Sequence, residues 1–391
     1  MIDRPPSSDV RPPLRLAFLI RQLAVGGAEA QIANLCSGLA RGGHSVSLGA
    51  FYPNPILDQR LIEQGVNVVC LEKSGRWDLA PFYRRVIQWL QGLQPDILHS
   101  YLDPSNLLAA LAKPFLPTST RLVWGVRASE MDFNSYDSTR KLVFWGLKVL
   151  RSAPDRIVPN SIAGLEYYLQ EGFSRSKLVV IPNGIDTTEF RPDHEARERV
   201  RAEWEVGNDE KLVGLVARMD SKKDHRTFLD AAATVCQRHP EKIRFVCVGP
   251  GSEETVEQLQ RRATILGLDP FLTWVGARSD MWAVYNALDL NCLSSAFGEG
   301  FPNTVGESMA CGTPCVVTDC GDSKHIIGET GLVVPPRSPD ALANAILQTI
   351  SADIDKSALQ KRCRERIIEL FDVERLIQAS AGLYSALAMG R

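Results

Sequence analysis

The sequence predicts an α/β protein of two domains, each a parallel sheet covered by helices on both faces. Three observations carry this prediction. Short β-rich apolar runs alternate with helical stretches through the 391-residue chain, and that alternation is the pattern of a parallel sheet. It breaks once, at the turn cluster Ile181-Pro182-Asn183-Gly184-Ile185-Asp186 and a charged stretch reaching Glu210, and then begins again; a length of this size holds two full cores. Finally, a strand, a double glycine and a helix open the chain at 14–41, as in α/β domains that handle nucleotides.

In the first half, the strand at 14–20 leads into the loop RQLAVGGAEA, and Gly26 and Gly27 start a helix that runs to Arg41. The loop is not G-x-G-x-x-G, so a dinucleotide fingerprint is not supported. Strands are expected at 45–50, 66–71, 96–100, 121–126, 156–159 and 178–181, with helices at 82–93, 106–113 and 162–170 among them. Ligands of such sheets sit at the carboxyl ends of strands. That directs attention to Ser100-Tyr101-Leu102-Asp103 and to Gly125-Val126-Arg127-Ala128-Ser129-Glu130. His99, in the strand end ILHS, reads as a packed or hinge-side histidine rather than a catalytic base. The segment 139–151, TRKLVFWGLKVLR, mixes apolar and basic residues at helical spacing; it reads either as a core-facing helix or as one resting on an anionic membrane surface.

The second half repeats the alternation, with strands at 212–216, 244–248, 271–275, 290–293, 315–318 and 332–334. Arg218 and Lys223 follow the first of these strands, and Gly249 and Gly276 mark strand-to-helix turns on the same side. The final segment, 373–389, carries Leu376, Ile377, Leu383 and Leu387 at partly helical spacing.

Composition removes several classes of function. Hydrophobic content of 45% and charged content of 23% are ordinary for a globular protein, and a net charge of −2 argues against bulk binding to nucleic acid. Nine cysteines lie mostly in apolar runs without zinc-type spacing; buried free thiols in a reducing cytosol are expected. No apolar run is long enough to span a bilayer. Residues 1–13 lack the apolar core of a signal peptide and read as a disordered lead-in, so a cytoplasmic location is expected.

The densest chemistry lies in SSAFGEGFPNTVGESMACGTP, residues 294–314. Gly298, Gly300 and Pro302 break regular structure after a strand, a helix can start near Asn303, a residue that caps helices, and Gly312 with Pro314 stops it. The first N–H groups of a helix lack internal partners and favour an anion, so those around Asn303, Thr304 and Val305 suit a phosphate. Helical side chains lean toward the N-terminus. Glu307 would therefore reach alongside that anion, where a carboxylate suits a neutral diol such as ribose. Glu299, in the loop ahead, suits the hydroxyls of a second sugar. The alternative is a solvated loop glutamate plus a helix-surface glutamate.

Glu299, seven residues and Glu307, set in FGEGFPNTVGESMACGTPCV, resemble the signature of glycosyltransferase family 4. The resemblance implies the GT-B fold, with two Rossmann-like domains, a cleft between them, and a terminal helix crossing back onto the first domain. It implies an acceptor-side domain at 14–186, joined by 373–389, and a donor-binding domain at 187–372. It also implies a retaining enzyme that takes a UDP- or GDP-linked sugar to a sugar, lipid-linked or other hydroxyl acceptor in cell-surface polysaccharide or glycolipid synthesis.

In the family, the first glutamate contacts the donor sugar and the second the ribose. Gly300, Phe301 and Pro302 complete that loop. Arg218 and Lys223 resemble the diphosphate-binding pair, and Gly26 and Gly27 face the donor phosphates and acceptor. Gly249 faces the same cleft, while Gly276 to Arg278 resembles the loop whose backbone reads the base. Many members carry a histidine where Arg127 stands, so Arg127 takes its place, binds an acidic acceptor, or is a surface residue. The Asp-x-Asp that usually anchors a metal is expected to be absent from the whole chain, so neither metal nor other cofactor is expected. The rival readings are an epimerase of the same fold and a non-catalytic nucleotide-sugar-binding partner.

Overall fold

The computed structural model describes residues 12–23, 26–75, 77–127, 138–238, 243–350 and 355–390. The first half contains β1 (Arg15–Gln22), α1 (Gly27–Arg41), β2 (Ser45–Tyr52), α2 (Pro55–Glu63), β3 (Asn67–Cys70) and α3 (Ala80–Leu93). It continues with β4 (Ile97–Tyr101), α4 (Asp103–Ala112), β5 (Arg121–Val126), α5 (Ser138–Val149), β6 (Arg156–Pro159) and α6 (Ile162–Gln170). The second half runs α7 (His194–Glu203), β7 (Lys211–Val216), α8 (His225–Arg238), β8 (Ile243–Val248), α9 (Glu253–Ile265), β9 (Leu272–Val275) and α10 (Met281–Ala287). After these come β10 (Leu290–Leu293), α11 (Asn303–Ala310), β11 (Cys315–Thr318), α12 (Ser323–Ile327), β12 (Leu332–Val334), α13 (Pro339–Ile350), α14 (Lys356–Phe371) and α15 (Val373–Met389).

Both sheets are six-stranded and parallel, in the orders β3-β2-β1-β4-β5-β6 and β12-β11-β10-β7-β8-β9. Counted from each sheet's own first strand, the two orders are the same. Each reverses beside that first strand, between β1 and β4 and between β7 and β10. The loops leaving those strand pairs diverge and open a crevice at the carboxyl ends. The central strands β4, β10 and β11 are buried at every residue, as strands covered on both faces must be.

The helices of the first half split between the faces of their sheet. α1 packs Ile32, Leu35 and Leu39 against Phe18, Ile20 and Leu48 on one face, while Phe82 and Val86 of α3 and Phe144 of α5 join Leu19 and Leu98 on the other. In the second half, Phe228 and Leu229 of α8 and Ile346 of α13 cover Val213 and Phe245 on one side.

The chain passes between the halves twice, and the two passages hold each other. Ile185 N–H donates to Phe371 O at 2.8 Å, and Val373 N–H donates to Ile185 O at 2.9 Å. Beyond the second passage, α15 returns to the first half and buries Leu376, Ile377 and Tyr384 in the core built on α1. His99 Nδ1 lies 2.6 Å from Tyr384 Oη, so the histidine is a packing tie between β4 and α15. Burial, helped by the Arg127 charge, holds its pKa well below the usual imidazole range. The Gln31 side chain of α1 both donates to Gly184 O at 2.7 Å and accepts from Gly184 N–H at 2.8 Å.

Two expectations change. The stretch at 178–181 does not join the first sheet as a seventh full strand. A 3₁₀ turn at Arg175–Lys177 precedes it and Pro182 follows, so it keeps only bonds such as Val179 N–H to Ile157 O at 3.0 Å and Ile181 N–H to Pro159 O at 3.1 Å. The charged stretch after Asp186, read as a break in the alternation, contains a helix, α7. That helix buries Ala196, Val200 and Trp204 against Ala283, Val284 and Ala287 of α10 and adds charge: Arg197 and Arg201 meet Asp289 at 2.9 and 3.1 Å, and Asp193 caps it by accepting from Ala196 N–H at 2.9 Å.

All nine cysteines are free, and all but Cys70 are buried. Among the described residues no helix is long and apolar enough to cross a membrane. Residues 1–11, most of the expected lead-in, lie outside the described residues.

Gly184 sits where the two passages meet, and a Cβ there would lie 2.6 Å from Val373 Cα. Overpacking of this kind costs about 1–3 kcal/mol. Gly184→Ala is therefore expected to lower the denaturant midpoint of unfolding. An unchanged midpoint would show slack at the crossing.

Candidate active site

The loop after β10 is built to bury a carboxylate. Ser294 Oγ donates to Lys223 O at 2.8 Å, which lashes the loop to the one that follows β7. Gly298 has φ 70° and turns the chain inward. The Glu299 side chain then meets Lys223 Nζ at 2.6 Å and accepts from Ser295 Oγ at 2.7 Å. On its far side lies Gly321, at φ 58°, where a Cβ would approach Glu299 O to 2.4 Å; only glycine leaves room there. Burial alone would raise the Glu299 pKa, but Lys223, Lys222 and the two hydrogen bonds outweigh it and hold the carboxyl below the usual range.

Glu307 has the opposite character. It lies about one turn into α11, half-buried, and accepts a 2.8 Å hydrogen bond from Tyr285 Oη. Burial drives its pKa up to about 7; the Tyr285 hydroxyl pulls it down and the Glu189 charge adds to the rise. Tyr285, on α10, has no signature in the sequence that marks it as the partner of Glu307.

The helix start differs from the expectation. Pro302 occupies the cap position of α11, no side chain caps that end, and Asn303 is the first helical residue. Freed from capping, the Asn303 side chain spans the cleft: it accepts from Asn183 Nδ2 at 2.8 Å and donates to Gly27 O at 3.3 Å. Gly26 precedes α1 in extended conformation, and a Cβ on Gly27 would lie 3.1 Å from Asn303 Nδ2. The glycine loop of the first half thus faces the start of α11. Thr304 O accepts from Asn291 Nδ2 at 3.2 Å, which ties that helix start to β10.

Arg218 is 70% exposed and only loosely paired, at 3.4 Å from Asp220. Across the cleft is Glu29 of α1, whose pKa burial raises and the Arg218 charge lowers. Gly249, at φ 143°, lets β8 approach the loop after β7, for a Cβ would lie 2.1 Å from Ala217 O. A Cβ at Gly276 would meet open space.

Two of the sequence candidates have side chains engaged elsewhere. Arg278 is fully engaged, with Nε and Nη2 on Asp280 at 2.8 Å each and Nη1 on Glu203 at 2.5 Å. The Phe301 ring points into the core, packed edge-on against Phe371 at 5.3 Å.

Arg127 is held rather than loose. Its guanidinium lies 4.5 Å from the Tyr101 ring centroid and donates to Asn183 Oδ1 at 3.1 Å. Arg127, Asn183, Asn303 and Gly27 therefore form one polar chain across the cleft. Ser129 and Glu130 of the same loop lie outside the described residues. The expected absence of an Asp-x-Asp does not hold, because one stands at 353–355; Asp353 and Ile354 lie outside the described residues, and Asp355 caps α14 by accepting from Ala358 N–H at 3.0 Å.

Two Rossmann-like halves facing each other across a loop-lined cleft define a GT-B glycosyltransferase. Residues 25–189 match the family model described as glycosyltransferase family 4, and residues 210–352 match that of glycosyl transferases group 1. The chain belongs to glycosyltransferase family 4.

A D-inositol 3-phosphate glycosyltransferase of Corynebacterium urealyticum is 27% identical over 366 residues, covering 85% of this chain and 84% of the relative. An Escherichia coli UDP-Gal:alpha-D-GlcNAc-diphosphoundecaprenol alpha-1,3-galactosyltransferase is 24% identical, covering 93% of this chain and 97% of its own. The Anabaena HepE structure with UDP and glucose superposes with a TM-score of 0.82 at 22% identity, covering 95% of this chain and 100% of that one.

Because the Tyr285 hydroxyl stabilises the charged form of Glu307, Tyr285→Phe is expected to move the carboxyl titration above about 7. Carbon-13 NMR of labelled glutamate carboxyls reads this. A midpoint that stays or falls would mean the hydroxyl is not what restrains the rise.

Proposed function

We propose that this glycosyltransferase binds a nucleotide-diphosphate sugar, UDP- or GDP-linked, in its second half and transfers the sugar with retention to a hydroxyl acceptor entering from the first. One observation carries the reading: Glu299 is held ionised by Lys223 at 2.6 Å, directly ahead of an uncapped helix start that faces Gly27. In this reading Glu299 holds hydroxyls of the donor sugar and Glu307 holds the ribose diol. The backbone from Gly276 to Arg278 reads the base, and Gly249 keeps the strand end close to the phosphates.

The leaving diphosphate gathers charge as its bond to the sugar breaks. Arg218, the α11 start and Lys223 answer that charge without a metal. Lys223 spends one donor on Glu299 and retains two for phosphate oxygens. In the same-face mechanism the acceptor oxygen bonds to the anomeric carbon while the carbon–oxygen bond to phosphate breaks. The acceptor proton passes to the departing phosphate oxygen. Arg127 and the Gly26–Gly27 loop line the acceptor side.

Initial rates of nucleotide release over a panel of UDP- and GDP-sugars test this, with and without EDTA. Arg218→Lys is the cleaner variant, because Lys223→Ala also strands a buried carboxylate. An ammonium cannot span two phosphate oxygens as the guanidinium fork does; losing one preorganised charge partner costs roughly 10²- to 10³-fold in turnover. Slow Arg218→Lys turnover and chelator-resistant wild-type rates are expected. Loss of wild-type activity in EDTA, restored by Mn²⁺, would overturn the metal-free reading, and normal rates in Arg218→Lys would remove that residue.

The acceptor is proposed to be lipid-linked, as the name of the E. coli relative states for that enzyme. Leu142, Trp145 and Val149 of α5 are 65, 63 and 57% exposed, at a spacing that shares one face of a helix. Lys141 and Lys148 flank the row, although Lys148 is tied to Glu171 at 2.9 Å. An apolar row with basic neighbours suits an anionic lipid surface. Wild type is expected to sediment with phosphatidylglycerol vesicles and less with phosphatidylcholine, and Leu142→Ser with Trp145→Ser to lose that binding. Equal sedimentation of the double variant would rule the face out.

A further inference from the structure

Asp322 stands where the two halves meet and has no part in the donor contacts above. Its carboxylate accepts from Ile162 N–H at 2.7 Å and from Ala163 N–H at 3.0 Å, the first two residues of α6 in the opposite half. α6 satisfies its next donor itself, since Ser161 Oγ accepts from Gly164 N–H at 2.9 Å. Two helix-end donors are thus left for a partner, and the helix dipole favours an anion there. The same Asp322 donates its backbone N–H to Gly300 O at 2.9 Å. Its neighbour Gly321 packs under Glu299 O so closely that a Cβ would lie at 2.4 Å. Gly300 in turn abuts the residues that lead into α6: a Cβ on it would lie 2.9 Å from Asn160 Oδ1 and 3.3 Å from Ser161 Oγ.

One short turn therefore touches both the start of α6 and the backbone that carries Glu299. If the halves part, Asp322 and the two N–H groups return to water, and Gly300, next to Glu299, loses its contact with Asn160 and Ser161. We propose that Asp322 is a positioning residue that couples closure of the two halves to placement of Glu299. Its carboxylate latches α6 only in the closed arrangement. The kinetic consequence rests on the donor-site reading above; the latch itself does not.

Ile162→Pro tests the contact from the far side. Ile162 is the first helical residue, where proline fits because its ring presets φ and the lost N–H has no partner within the helix. Ser161 is extended, at φ −155° and ψ 155°, as a residue before proline must be. Asp322→Ala removes the other partner. Small-angle X-ray scattering, recorded alone and with saturating UDP or GDP, gives the most compact state each protein reaches. Calorimetry gives UDP and GDP affinity, and initial rates give kcat/KM.

Neither variant is expected to reach the wild-type compact state. Each should lose roughly 10- to 100-fold in kcat/KM, the usual worth of a hydrogen bond to a charged group, while nucleotide affinity stays unchanged. The double variant should be no worse than the worse single. Wild-type dimensions in both variants would overturn the latch. So would an open Asp322→Ala beside a closed Ile162→Pro, since α6 would then not be the partner. Lost nucleotide affinity in either would make the role one of local folding. If wild type turns over no nucleotide sugar, the donor reading fails and scattering still decides the latch.

Discussion

The strand order 3-2-1-4-5-6 is the constraint from which everything else hangs. Connections from the first and fourth strands leave in opposite directions, so the loops between them diverge and leave backbone and side chains room to face a ligand. This chain has the order twice. Four strand ends therefore supply the cleft: β1 leads to Gly26 and Gly27, β4 to Tyr101, β7 to Arg218 and Lys223, and β10 to Glu299 and Asn303. That the two crevices face each other is seen directly in the 3.3 Å contact from Asn303 to Gly27 O.

Within that frame, one motif holds two glutamates in opposite electrostatic states. Glu299 is deeply buried, yet two lysines and a serine keep it ionised. Burial pushes Glu307 up to about 7, with the Tyr285 phenol opposing the rise and the Glu189 charge adding to it. A permanent anion suits a contact that must persist through transfer. A carboxyl poised near neutrality changes charge with modest changes around it. Neither state follows from the residue type alone; each is set by which helix or loop lies against it.

Most of the architecture was legible because apolar runs with strand length and helix periodicity are local signals. Twelve of the thirteen expected strands have counterparts in the structure, and the exception, 178–181, fails for a local reason, a turn before it and a proline after it. The charged stretch that hides α7 misled because its apolar stripe is short, Ala196, Val200 and Trp204, and is set among charges of which Arg197 and Arg201 are spent on Asp289. Glu299, Glu307, Arg218 and Lys223 were visible through their motifs. Tyr285, Asn183 and Asp322 were not, since their roles depend on partners 22, 120 and 160 residues away. Asn303 was visible, but as a cap; its reach across the cleft depends on Gly27 being there.

The paired passages at Ile185 and Asp372 also have a mechanical meaning. Two separate threads between bodies would let them swing, slide and twist freely. Here the threads are stitched together by Ile185 N–H to Phe371 O and Val373 N–H to Ile185 O, which makes them a narrow ribbon. A ribbon folds readily across its flat face and resists shearing in its own plane. The cleft should then open and shut like a book along one spine, so that each closing stroke returns the same lips to the same register.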